Sequence, residues 1–406
     1  MHVLFVEPSF PRSQKQHVRA LHAIGARITG IGEAPPQALQ QDVRGWLSGY
    51  EQVRSVTDEG ALEEAVRRVQ SQHWVDRLEA TVEAHVLPTA KVRERCEIPG
   101  TSERTAFLCR DKAAMKHVLR EAGIPTAASE GAADAETVRE FAKREGYPLV
   151  IKPLDAAGAA GATRVEDDDE LERAIAASHV DHGARVIVEE WVEGHEGFYD
   201  TLCYEGEVVH DFVSHYYPNV LEAMRTRWIS PQIVTSNRVS DSQYDEVRDM
   251  GKRVIEALGI ETAPTHMEWF FGPKGLKFSE IGCRPPGVGT WDLYSAANEF
   301  DLYQEWAKAV CGIRTEMQPS RRYSAGLIAL RPDRDGQISG YEGMDEIERR
   351  FGEHIVQKHL PSVGTGTQDV SAGYHANAWM TLRHEDFDTL RSMLDQIGEN
   401  VSVRAH

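Results

Sequence analysis

Apolar positions change their spacing several times along the chain, and each change marks an element. HVLFV (2–6) is a short apolar run, QKQHVRALHAIG (14–25) has helical spacing, and ARITGIG (26–32) is strand-like again. Strand, helix and strand within about 30 residues form the pattern of a βαβ unit in a parallel sheet. EPSFPRSQ follows the first strand where a dinucleotide site would need GxGxxG, so that fingerprint is absent. The pattern predicts two further helices, over 59–71 and 75–93, and a polar, irregular boundary over 94–104.

From about 105 the texture changes. DKAAMKHVLREA (111–122) is an amphipathic helix with Asp111 at its start and Gly123 at its end, as capping rules favour. Helices are also predicted over 135–145, 168–178 and 241–258, the DDDE run (167–170) being a solvated helix start. YPLVIKP (147–153) and RVIVEEWV (185–192) read as strands. FYDTLCYEGEVVHDFVSHYY (198–217) reads as a hairpin turning at Glu205-Gly206, and THMEWFF and LKFSEI as a hairpin around GPKG (272–275). Helices alternating with hairpins suggest α+β lobes instead of one continuous parallel sheet. After about 316, three strand candidates (322–332, 354–361, 377–384) and two helices (345–351, 385–397) read as a small α+β C-terminal lobe.

Composition narrows the classes. The chain has 406 residues, 41% hydrophobic and 27% charged, an ordinary globular balance that excludes collagen-like and wholly disordered readings. Its net charge of −19 repels nucleic acid and anionic membrane surfaces, so neither is an expected partner. Five scattered cysteines without a CxxC pair fit a reducing compartment better than a disulfide framework or a zinc ribbon. No apolar run approaches the roughly 18 residues of a membrane span, and MHVLFVEPSFP reads as a first strand and not a signal peptide. The expectation is a cytoplasmic protein.

Three constellations carry candidate chemistry. Glu268 and Glu280 flank the GPKG turn, so a hairpin can bring them onto one face. They are either exposed strand glutamates or a pair of hard oxygen ligands for Mg²⁺ or Mn²⁺ shared with phosphate. Lys152 ends an apolar strand just before a small-residue loop with Gly158 and Gly161. Such a loop is either a plain surface connection or a close backbone approach to phosphate. It is no Walker A, since GxxxxGK(S/T) is absent. VIVEEWVEGHE (186–196) is an acid-rich strand end, able to line an adenosine site or simply to face solvent.

Taken in order, the blocks CRDKAAMKHVLREAGIP (109–125), YPLVIKPLDAAGAAG (147–161), VIVEEWVEGHE (186–196) and THMEWFFGPKGLKFSEIGCRPPG (265–287) resemble the ATP-grasp superfamily of carboxylate–amine ligases. In texture they are closest to the branch that includes dipeptide-forming L-amino-acid ligases. The resemblance spans roughly 105–315, half the chain. It implies an ATP-grasp fold, mixed α/β and α+β, with a pre-grasp α/β domain over 1–104. The ATP-grasp domain would cover 105–316, a lid-bearing half (105–190) followed by a metal-binding half (191–316), and the C-terminal lobe 317–406.

The cofactors it implies are ATP and Mg²⁺ or Mn²⁺. Lys112 and Lys152 would contact the phosphates, with the loop 155–163, including Gly158 and Gly161, as the lid. Glu189 would meet the adenine amino group, the backbone of Glu190, Trp191 and Val192 would run beside it, and Glu196 would meet the ribose. Glu268 and Glu280 would hold metal. Arg284, four residues on, would stabilise charge on an acyl phosphate. His266 shares the strand face of Glu268 and either orients substrate or packs as a strand histidine. The segment 215–231 stands where the family often places substrate contacts, so Arg225 or Arg227 would pair with a substrate carboxylate, or be solvated.

Where the family has Glu-x-Asn, this chain has Glu280-Ile281-Gly282, so an amide ligand is missing. Gly282 is either that loss or a backbone requirement of a bend. The activity implied is ATP-dependent amide or peptide bond formation through an acyl phosphate, releasing ADP and phosphate. Its substrates would be a small carboxylate and an amine, amino-acid-like in kind. A purine-pathway or bicarbonate-using ATP-grasp reaction and a non-catalytic ATP-binding protein are the alternatives. A homodimer is a common outcome for the superfamily, and the sequence itself does not read out the oligomeric state.

Overall fold

In the computed structural model, residues 1–153, 161–224, 226–369, 374 and 377–406 are described. Gly158 and Arg225, and most of the expected lid, lie outside them.

The N-terminal apolar runs form β1 (His2–Val6), β2 (Arg27–Gly32), β3 (Gly49–Gln52) and β4 (Arg77–Glu79). All pair in parallel, in the order β3-β2-β1-β4. Their residues are nearly all buried at β1 and β2, as expected of a sheet covered on both faces. The helix expected over 75–93 is corrected: Arg77–Glu79 is a strand, and the helix runs over Glu83–Arg95. Leu78 is fully buried beside β1, so a three-residue run was too short to show a period of its own.

The lid-bearing half is a small antiparallel sheet of β5 (Ser129–Ala132), β6 (Leu149–Pro153), β7 (Thr163–Val165) and β8 (Val186–Glu190), in the order β5-β8-β6-β7. The helix Lys112–Glu121 leads into it, with the Asp111 carboxylate accepting from the Ala113 and Ala114 N–H groups, as an N-cap does.

Next come β9 (His195–Tyr204), β10 (Glu207–Tyr217), β11 (Gln232–Thr235), β12 (Pro264–Gly272), β13 (Gly275–Gly282), β14 (Ser324–Leu330), β15 (Ile338–Glu342), β16 (Ile355–His359), β17 (Ala378–His384) and β18 (Ser402–Ala405). The hairpin β9–β10 turns where expected, Glu205 and Gly206 both having positive φ (51° and 81°). An eight-stranded sheet runs β13-β12-β9-β10-β11-β14-β17-β16, and β15 pairs with β18 alone. The C-terminal strands therefore extend the sheet of the preceding half through the β11–β14 ladder.

One core cluster also crosses the units. It joins Val3, Phe5 and Val18 to Trp291, Tyr294 and Trp306, and to Phe198 and Leu327. That contact fixes the N-terminal sheet against the segment that follows β13. No helix among the described residues is long and apolar enough to cross a membrane.

Candidate active site

A cavity of about 780 Å³, open solvent included, lies between the small sheet and the β9–β13 face of the large one. Lys152, Glu189, Glu190, Trp191, Val192, Glu196, Glu268 and Glu280 line it together. Gly161 does not. It lines a separate open pocket beside Pro153 and Arg185.

At one end, Glu189 on β8 holds two ammonium groups: Lys116 donates to Oε1, and Lys152 to Oε2 at 2.7 Å. Lys116 is 1% exposed and Glu189 3%. Burial favours the neutral acid, but Lys116 and Lys152 outweigh it and hold the Glu189 pKa down at about 2. Burial pushes Lys116 below the ordinary lysine value, while for Lys152 the carboxylates of Glu189 and Glu280 overcome burial and raise it. Each oxygen of Glu189, expected to meet the adenine amino group, accepts from a lysine here.

Lys116 escaped the sequence reading. It stands one turn after Lys112 on the helix Lys112–Glu121, so the i, i+4 spacing was the available signal. Lys112 itself lines the next cleft, its Nζ 3.2 Å from Glu280 Oε2.

Next to the lysines stands the carboxylate pair. Glu268 and Glu280 are direct cross-strand partners. Trp269 then pairs with Phe278, leaving Ser279 as a bulged residue beside Glu280, the kind of irregularity that re-aims side chains at sites. Among the described residues no group of three or more His, Cys, Asp or Glu side chains is placed to hold a metal ion. Two carboxylates aimed into one cavity nonetheless fit Mg²⁺, which takes one or two carboxylates and completes its shell from substrate phosphate and water.

Glu196, on the same face of β9, accepts from the Val220 N–H at 2.6 Å. Burial first, then the Glu268 charge, push its carboxyl up to about 8. The segment 215–231 brings Asn219, Val220 and Leu221 to the cavity. Arg227 is placed elsewhere, against Asp335 at 2.6 Å and Asp369 at 3.8 Å, and lines neither this cavity nor the next.

Glu280 also lines a smaller cleft of about 380 Å³, where Lys112, His266 and Arg284 meet Glu83 and Arg110. His266 Nδ1 lies 2.7 Å from Asp200 Oδ1, and Nε2 lies 3.5 Å from Glu268 Oε1. Burial disfavours its charge, but Asp200 and Glu268 outweigh that and raise its pKa to about 10. Asp200 is 1% exposed in the middle of β9, between Tyr199 and Thr201. That placement was its only sequence signal, and the reading missed it.

Arg284 donates through Nε to Glu83 at 2.6 Å and through Nη1 to the Pro285 carbonyl at 2.7 Å. Arg110 reaches the other Glu83 oxygen at 3.0 Å. Gly282 has no positive φ, so the bend does not require glycine. A Cβ there would stand 3.4 Å from Arg284 Cγ and 3.5 Å from Glu83 Oε2, so Glu83 and Arg284 border the space that a side chain at this position would enter.

Comparison with known proteins shows what the chain is similar to. Residues 117–300 match the ATP-grasp domain family. An uncharacterized protein of Sinorhizobium fredii is 26% identical over 276 residues, 66% of this chain, and the chain spans 55% of that protein's length. The L-arginine-specific L-amino acid ligase of Bacillus subtilis is 26% identical over 318 residues, 76% of this chain and 75% of the relative. The crystal structure of the L-amino acid ligase from Bacillus licheniformis superposes with a TM-score of 0.78 at 17% identity, covering 100% of this chain and 98% of that one. At that identity the likeness establishes the fold.

Proposed function

From the premise that the chain carries an ATP-grasp domain, we propose that it is an ATP-dependent carboxylate–amine ligase that joins amino-acid-like substrates and releases ADP and phosphate. The observation that carries this reading is one shared carboxylate. Glu280 lines both a cavity with two lysines and a facing Glu268 and a cleft with Lys112, His266 and Arg284.

In this reading Lys116 and Lys152 bind the nucleotide phosphates, with Glu189 setting their positions. Glu268 and Glu280 hold Mg²⁺ or Mn²⁺, which when bound neutralises phosphate charge. The substrate carboxylate attacks the γ-phosphorus and ADP leaves, giving an acyl phosphate. Arg284 and Lys112 then offset negative charge on the acyl phosphate and on the tetrahedral centre as the amine attacks the carbonyl and phosphate departs. The amine's surplus proton passes to solvent. His266, oriented by Asp200, donates toward the reacting oxygens from the strand face it shares with Glu268. No side-chain nucleophile is required, and Cys283 is buried.

The test is nucleotide product and phosphate release from MgATP across amino acids supplied singly and in pairs. ADP release that requires an acid and an amine together supports the ligase. AMP release, or silence across the panel with ATP still bound, overturns it.

A further inference from the structure

A file of polar side chains runs from the cleft beside Glu280 into the core of the large sheet. Asp200 on β9 is the cross-strand partner of His266 on β12 and, on its other side, of Phe212 on β10. Direct partners share a face of the sheet. Tyr294, on the helix Thr290–Asn298, lies flat on Phe212, ring centres 4.1 Å apart and planes within 6° of parallel. Its hydroxyl reaches Asp200 Oδ2 at 2.5 Å, and His266 Nδ1 reaches Asp200 Oδ1 at 2.7 Å. Behind the tyrosine, Ser214 Oγ stands 3.4 Å from its hydroxyl and 2.9 Å from Thr235 Oγ1. Tyr294 and Ser214 are 0% exposed, Asp200 and Thr235 1%.

The groups themselves fix the direction of each bond. A carboxylate only accepts, so the Tyr294 hydroxyl and His266 Nδ1–H both donate to Asp200. The Tyr294 oxygen is left to accept from Ser214, and Ser214 from Thr235. Three hydroxyls therefore point one way, toward a carboxylate that holds an imidazole. The imidazole is the end that reaches the site. His266 lines the cleft with Glu280 and Arg284, its Nε2 3.5 Å from Glu268 Oε1.

The terminal torsion of an aspartate is broad, so its partners set the plane of the carboxylate. Among the described residues each Asp200 oxygen has one side-chain partner, His266 or Tyr294. With Oδ2 pinned by the tyrosine, Oδ1 is aimed at His266. With Oδ2 released, the carboxylate turns and the imidazole turns with it. The ring of Tyr294 packs on Phe212 with or without its hydroxyl, so the packing and the hydrogen bond are separable.

We propose that Tyr294 is a positioning residue, which through Asp200 sets the orientation of His266 at the cleft beside Glu280. The orientation stands apart from what the site does, and its consequence for turnover rests on the ligase reading.

The experiment compares the full chain with Tyr294→Phe. In protein labelled with ¹⁵N-histidine, the His266 Nδ1 proton, identified by its loss in His266→Gln, is expected far downfield and protected from exchange. In Tyr294→Phe it should shift or exchange away. The same variant should lower kcat about tenfold while KM for MgATP changes less than twofold. In a His266→Gln background it should change kcat less than twofold, because residues that act through one another are not additive. Ser214→Ala, which removes the donor behind the tyrosine, should displace the same resonance by less, and serves if Tyr294→Phe does not fold. No such resonance in the native chain, an unmoved one in either variant, or a full loss of kcat in the His266→Gln background overturns the proposal. A native chain that shows the resonance and its shift but releases no ADP would sink the ligase reading and leave the positioning standing.

Discussion

Arg284 Nε and Glu83 Oε2 stand 2.6 Å apart, and this pair ties the end of the hairpin carrying the two facing glutamates to the first turn of a helix from the N-terminal unit. Glu83 also holds Arg110, so one carboxylate sets two guanidinium groups in the cleft beside Glu280. Burial disfavours its charge, but Arg284 and Arg110 hold its pKa below the ordinary value.

Glu83→Gln should therefore loosen Arg284 without emptying the nucleotide cavity. The expected result is a fall in kcat/KM of ten- to a hundredfold, about 1.4–2.7 kcal/mol of transition-state stabilisation. MgATP affinity, read by equilibrium titration, should be unchanged. A loss confined to nucleotide affinity would contradict this placement.

Glu189 carries a stability prediction. Removing its charge leaves Lys116 buried beside Lys152 without a counter-ion, and breaking a buried pair from one side costs about 3–5 kcal/mol. Urea unfolding of Glu189→Gln should show a loss of that order. The double variant Lys116→Met/Glu189→Leu should recover most of it, because both desolvated charges go together. If Glu189→Gln unfolds within about 1 kcal/mol of the native chain, the pair is not the buried bridge the geometry describes.

Much of the site was legible because its residues sit at fixed offsets in strands. Period two places His266 beside Glu268, and a four-residue GPKG turn places Glu280 opposite. What escaped was decided by partners far along the chain. Lys116 reads as a helix-face lysine until Glu189, 73 residues on, closes over it. Asp200 reads as one more polar residue of β9, like Glu196 and Thr201, until β12 brings His266 alongside. The C-terminal strands read as a lobe of their own because a strand's sequence does not name its neighbour.

Arg227 shows the converse. Its composition suited a carboxylate contact, yet Asp335 and Asp369 occupy it. Arg227→Ala should change KM for either substrate less than twofold in steady-state assays. A fivefold rise would restore the sequence-based expectation.

Acid should weaken the fold through His17. Its pKa is about 3 when folded, against 6.5 as the ordinary value. As pH falls below 6.5 the unfolded chain takes up a proton that the folded one refuses, so stability present above 6.5 is lost progressively down to about 3. At pH 5 the loss is about 2 kcal/mol from this group alone. Comparing urea midpoints at pH 7 and pH 5, His17→Phe should be less acid-sensitive than the native chain by that amount. Equal sensitivity would mean the imidazole finds a partner when protonated.

The facing glutamates give the sharpest separation between binding and chemistry. Glu268 already contacts His266 and Tyr216, and Glu280 contacts Lys112, so neither depends on a cation to remain in place. Glu280→Ala should leave the melting temperature within a few degrees of the native value while ADP formation falls at least a hundredfold. Chelating the divalent cation should abolish ADP formation in the native chain to the same extent, and adding Mg²⁺ back should restore it there but not in the variant. Nucleotide affinity measured without divalent cation should be alike in both, because the lysines proposed to meet the phosphates are held by Glu189 and not by Glu280 alone. Residual turnover of more than a few per cent in Glu280→Ala would mean that the opposed carboxylates hold no metal essential to the reaction.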